Sequence, residues 1–64
     1  MKLNIKRIKK EMQKLGLNQT TLAERMGTTN QNVSYTLRHP ERFTARKVAK
    51  LAQALEVEPK DIIE

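Results

Sequence analysis

Residues 18–37 read NQTTLAERMGTTNQNVSYTL. Within this stretch a small residue, Ala23, precedes a glycine, Gly27, by four positions, and an aliphatic residue, Val33, follows that glycine by six. Leu22 and Met26 stand at helical spacing before Gly27, and Val33 and Leu37 at helical spacing after it. Two short helices therefore meet at a glycine, which permits the positive φ that such a turn needs. Ala23 is small because helices that cross closely leave no room for a longer side chain. The spacing describes two helices meeting at a sharp angle, the shape of a helix-turn-helix.

The charge around this stretch is uneven. The chain of 64 residues has 13 Lys and Arg against 7 Asp and Glu, a net charge of +6. A field of that sign attracts polyanions. Residues 1–14 hold six cations (Lys2, Lys6, Arg7, Lys9, Lys10, Lys14) against Glu11, and residues 38–50 hold Arg38, Arg42, Arg46, Lys47 and Lys50 against Glu41. Residues 56–64 invert the sign, with Glu56, Glu58, Asp61 and Glu64 against Lys60. The acidic end should face away from an anionic ligand, while positive charge flanks a motif whose second helix can enter the major groove of DNA.

Length and composition bound the rest. The chain reads as one domain, residues 1–64, with a small core and modest stability. It has no cysteine and no tryptophan, and one Phe and one Tyr, so the core must come from Leu, Ile, Val, Met and Ala. No disulfide or thiolate metal site is available. No run of signal-peptide length follows the basic N-terminus, and no stretch approaches the roughly 18 apolar residues of a membrane span. The expectation is a cytoplasmic protein.

Five helices follow from the pattern. Ile5, Ile8, Met12 and Leu15 form one apolar stripe on a first helix, with Asn4 as N-cap and Gly16 at its end. A basic amphipathic helix could also lie on a membrane, but this one lacks Trp and Phe and has other helices to pack on. Asn18 caps a second helix through Met26, with Leu22, Ala23 and Met26 inward. Thr28 or Thr29 caps a third, running to about Leu37. Pro40 breaks the pattern, placing Arg38, His39 and Glu41 on a loop. Thr44 caps a fourth helix with Val48, Leu51, Ala52 and Leu55 on one face. Pro59 suits the first turn of a short closing helix that returns Ile62 and Ile63 to the core. No strand alternation, repeat or linker is visible.

The segments GLNQTTLAERMGTTNQNV (16–33) and KVAKLAQALEVEPKDII (47–63) resemble the Cro and lambda-repressor type of helix-turn-helix, the XRE family, over nearly the whole chain. The first resembles the family's Gly-Leu-[Ser/Thr/Asn]-Gln-x-x-Leu-Ala-x-x-x-Gly segment, the second its fourth and closing helices. The resemblance implies an all-α, compact five-helix lambda-repressor-like DNA-binding domain, with the helix-turn-helix in helices two and three. Two positions depart from the family pattern. Thr36 sits where the family usually has an aliphatic core residue. Leu37 sits where many members have a Glu, which in some pairs with a first-helix Arg at the position of Met12 here. Well-packed apolar residues can replace a buried ion pair at little cost, so Met12 and Leu37 are expected to pack together, with the Thr36 methyl at the core edge. The alternative is a third helix that ends early and leaves Leu37 to turn inward.

Base reading needs paired donors and acceptors at the start of the third helix, and Asn30, Gln31 and Asn32 supply them. The resemblance implies Thr29, Asn30, Gln31 and Tyr35 as the base-reading positions. Asn32 and Tyr35 are balanced between base contact and other roles. Polar residues also simply populate exposed helix starts, which is the plainer reading. For phosphates, Asn18 and Gln19 stand at a helix N-terminus that favours an anion, and Arg38, His39 and Arg42 follow the third helix. Arg46 and Lys47 lie in the first turns of the fourth helix, where the dipole favours acids, and a nearby phosphate would relieve that conflict. The competing view of these cations is a solvated basic loop. His39 has no second His or Cys with which to hold a metal.

The functional expectation is a sequence-specific double-stranded DNA-binding regulator, a phage-type or mobile-element repressor acting as a homodimer on a palindromic operator. The alternative is the DNA-binding antitoxin, or protein-interaction half, of a toxin–antitoxin pair. No catalytic constellation, cofactor motif or small-molecule substrate site is visible, and RNA binding is disfavoured by the near absence of stacking aromatics.

Overall fold

The computed structural model describes residues 1–64, in the order α1 (Ile5–Lys14), α2 (Gln19–Met26), α3 (Asn30–Arg38), α4 (Ala45–Leu55) and a closing 3-10 turn (Pro59–Ile62). Each α-helix begins where a short polar side chain accepts a hydrogen bond from the backbone N–H three residues on. Asn4 takes that of Arg7, Asn18 that of Thr21, Thr29 that of Asn32 and Thr44 that of Lys47. The choice between Thr28 and Thr29 is thereby settled for Thr29.

The fifth helix is a correction. Pro59 does open the closing segment, but the segment is one 3-10 turn of four residues rather than an α-helix. It cannot lengthen, because Ile63 is already extended and pairs antiparallel with Leu3. Hydrogen bonds of 2.8 Å from Asn4 N–H to the Ile62 carbonyl and from Glu64 N–H to the Lys2 carbonyl join the two ends of the chain. A third, from Leu3 N–H to the Pro40 carbonyl at 2.8 Å, ties both ends to the loop after α3.

One cluster of thirteen buried apolar residues, from Leu3 to Ile62, forms the core. Leu22, Val33, Val48, Leu51, Ala52, Leu55 and Ile62 are buried as their spacing requires. The α1 stripe is shorter than expected. Ile8 and Met12 are buried and Ile5 packs partly, but Leu15 is only half-buried, since the helix ends at Lys14 and Leu15 is its cap residue. Leu17, just past the turn, packs on the core instead. Ile62 is fully buried, whereas Ile63 is half-buried.

The two departures at the end of α3 are now placed. The helix continues through Arg38, so it does not end early, and Arg38 is helical rather than part of the loop. Thr36 is buried, and its hydroxyl donates to the Asn32 carbonyl at 2.9 Å, leaving the methyl for its neighbours. Leu37 is half-buried, packs against the core cluster to which Met12 belongs, and lines a groove against α2 and α4.

Candidate nucleic-acid interface

The corner between α2 and α3 is three residues long, Gly27–Thr29. Gly27 has φ +71°, its N–H donates to the Glu24 carbonyl at 3.2 Å, and the Thr28 N–H donates to the Ala23 carbonyl at 2.9 Å. This pair of bonds satisfies the open carbonyls at the end of α2 and turns the chain sharply. Ala23, buried at the crossing, lets α3 lie close. Val33 and Thr36 then face inward, while Asn30, Gln31, Tyr35 and Arg38 are exposed along the opposite side of α3.

Side chains couple the two helices at the start of α3. Gln19 Nε2 donates to Asn30 Oδ1 at 3.4 Å, and Asn30 Nδ2 donates to Thr20 Oγ1 at 3.0 Å. Asn30 is thus braced, with one N–H and one lone pair left for a base edge. Gln31 is exposed and its amide bonds to no other group of the protein. Thr29 Oγ1 accepts the capping bond from the Asn32 N–H at 3.1 Å, which leaves the hydroxyl proton to be donated elsewhere. Asn32 turns back instead, its Nδ2 donating to Thr28 Oγ1 at 2.9 Å. Thr20, whose hydroxyl braces Asn30, carried no signal in the sequence, because its partner is reached only once the two helices cross.

At the other end of α3 three candidate residues form one cluster. The Tyr35 ring stacks on His39 with centroids 4.4 Å apart and planes 39° apart. The Tyr35 hydroxyl accepts a hydrogen bond from Arg42 Nη1 at 3.0 Å. That bond holds the Arg42 pKa above its ordinary value. The cluster fixes an arginine beside the exposed face of the helix. Asn18 has its side-chain oxygen engaged in capping α2 at 2.8 Å, so its amide nitrogen is the group it can offer an anion. Asn18 is exposed and Gln19 half-buried, side by side at the start of α2.

Ion pairing within the protein sharpens the charge map. Lys2 pairs with Glu64, Arg7 and Lys14 with Glu11, Arg25 with Glu56 and Lys60 with Glu58. The acidic end is therefore largely neutralised by local cations. The cations left without an acidic partner are Lys6, Lys9 and Lys10 on α1, and Arg38, Arg42, Arg46, Lys47 and Lys50 from the end of α3 into α4. The second group runs from the end of α3 into α4, and Arg42 reaches the exposed side of α3 through Tyr35.

Glu11, one acid in a basic stretch by sequence, is in fact buried, with Arg7 Nε 2.6 Å and Lys14 Nζ 3.8 Å from its carboxylate. The hydrogen bond from Arg7 holds the Glu11 pKa below the usual carboxylate value. Its spacing of four from Arg7 was visible, but its burial was not. No helix is long and apolar enough to cross a membrane.

Comparison with known proteins agrees with this geometry. No curated protein and no solved structure matches the chain significantly. The family described as the Cro/C1-type HTH DNA-binding domain matches over residues 7–64, which includes α2, the Gly27 corner and α3. The chain belongs to the Cro/C1-type helix-turn-helix family of DNA-binding domains.

Proposed function

We propose that the protein is a sequence-specific transcriptional repressor of phage or mobile-element type that binds a palindromic operator as a homodimer. In this reading Asn30 and Gln31 read base edges through their amides, Thr29 donates its hydroxyl, and Tyr35 meets a thymine methyl or a backbone oxygen. Asn18, Gln19, Arg38, His39 and Arg42 hold phosphates and set the register, with Arg46 and Lys47 beside them. The observation that carries the reading is the exposed polar face of α3, followed along the chain by five unpaired cations from Arg38 to Lys50. A module this small offers limited specific interface, so pairing on DNA raises both affinity and specificity.

Selection of bound duplexes from a random pool tests this. The expected product is a palindrome with half-sites about 10 base pairs apart centre to centre, one helical turn. A selected site without symmetry would contradict the homodimer, and no enrichment at all would contradict sequence-specific binding.

A further inference from the structure

Between the Gly27 corner, α3 and the start of α4 lies an open groove of about 180 Å³. Its floor is apolar, built by Leu22, Met26, Val33, Leu37 and Leu51. Its rim carries Arg46, Lys47 and Lys50, none of which has an ion-pair partner. One wall of the groove is the buried Thr36, a short side chain whose hydroxyl is held by the Asn32 carbonyl at 2.9 Å. A longer aliphatic side chain there would narrow the space.

We infer that this groove binds a compact aromatic carboxylate, the ring on the apolar floor and the carboxylate among Arg46, Lys47 and Lys50. Size selects a single ring. An apolar cavity of about 150 Å³ takes benzene, whereas drug-sized ligands need about 300–1,000 Å³. Charge selects the anion, since three unpaired cations in the lining attract a carboxylate and repel an aromatic amine. Burial of the ring supplies the attraction that a bare anion such as acetate lacks. The same ligand weakens DNA binding, because it occupies Arg46 and Lys47 and stands between α3 and α4. This last consequence rests on the proposed DNA-binding role of those cations, while the binding itself does not.

The test is a titration of the 15N-labelled protein with sodium benzoate in the absence of DNA, followed by amide shifts. Saturable shifts confined to the groove, at Thr28, Thr36, Leu37 and Lys47, are expected, with Kd on the order of 1 mM. Benzylamine (same ring, opposite charge) and acetate (same charge, no ring) should bind at least about tenfold more weakly. Thr36→Ile, which narrows the groove away from the proposed DNA contacts, should weaken benzoate binding by a similar factor and leave DNA affinity unchanged. Lys50→Gln should weaken it several-fold and guards against a folding defect in the first variant. Shifts that are absent, scattered over the surface, equal for acetate or benzylamine, or undiminished in both variants would overturn the site. Saturable benzoate binding with unchanged DNA affinity would overturn its regulatory role. Failure of the DNA selection, with benzoate still bound in the groove, would count against the DNA reading and not against the site.

Discussion

At the scale of single residues, the corner rests on Gly27. A Cβ built there would meet nothing within 4 Å, so space is not what excludes a side chain. The backbone is, because φ is +71° and an L-residue in the left-handed region is strained by about 1–2 kcal/mol. Gly27→Ala should therefore lower stability by about 1–2 kcal/mol in urea unfolding while the fold persists. A loss below roughly 0.3 kcal/mol would mean that the corner relaxes into another conformation. Gln31 presents the opposite case. It is exposed and bonded to no protein group, so its substitution should act on DNA recognition and leave stability alone.

At the scale of elements, all four α-helices start on caps that the sequence displays, because a cap needs only a partner three residues away. The helix ends were less legible. Glu56 closes α4 with φ +59°; its N–H donates to the Gln53 carbonyl at 3.2 Å and the Val57 N–H to the Ala52 carbonyl at 3.0 Å, the same pair of bonds that Gly16 and Leu17 make after α1 and Gly27 and Thr28 after α2. Its side chain pairs with Arg25 at 3.2 Å, both groups well exposed, and such a pair contributes about 0–1 kcal/mol. The left-handed strain is the larger effect, so Glu56→Gly should raise stability by about 0.5–1 kcal/mol. A thermal melt shifted downward would show that the Arg25 contact outweighs the strain. The apolar stripes placed most of the core, but Leu3 was missed because no periodicity surrounds it and its partners, Pro40 and Ile63, lie far along the chain. The bracing of Asn30 by Gln19 and Thr20 was hidden for a similar reason. It depends on the angle at which α2 and α3 cross, which the spacing of apolar residues fixes only coarsely.

At the scale of the whole molecule, charge is divided between stability and binding. The acids are mostly engaged by nearby cations, and the remaining positive charge lies on α1 and between Arg38 and Lys50. Glu11 belongs to the stabilising set. Its folded pKa is depressed by Arg7, so the protonated form is favoured in the unfolded chain. The stability it contributes is present above the ordinary carboxylate range, near pH 4.5, and is lost as pH falls through that range and then through the lower folded value. Glu11→Gln should be less stable than the parent at pH 7, with the gap closing toward pH 3, in urea unfolding across that range. A gap that stays constant with pH would assign the effect of the substitution to packing rather than charge.

The central claim is that the start of α3 reads bases while the cations after it hold the backbone. Titration of Gln31→Ala and Arg42→Ala against the selected site and its single-base variants, at several salt concentrations, tests this most directly. Gln31→Ala should lose roughly 1–3 kcal/mol on the selected site, relax preference at one base pair, and keep the parent's salt slope. Arg42→Ala should weaken every sequence alike and reduce that slope by about 1. Two variants with the same sequence profile and the same salt slope would contradict the account.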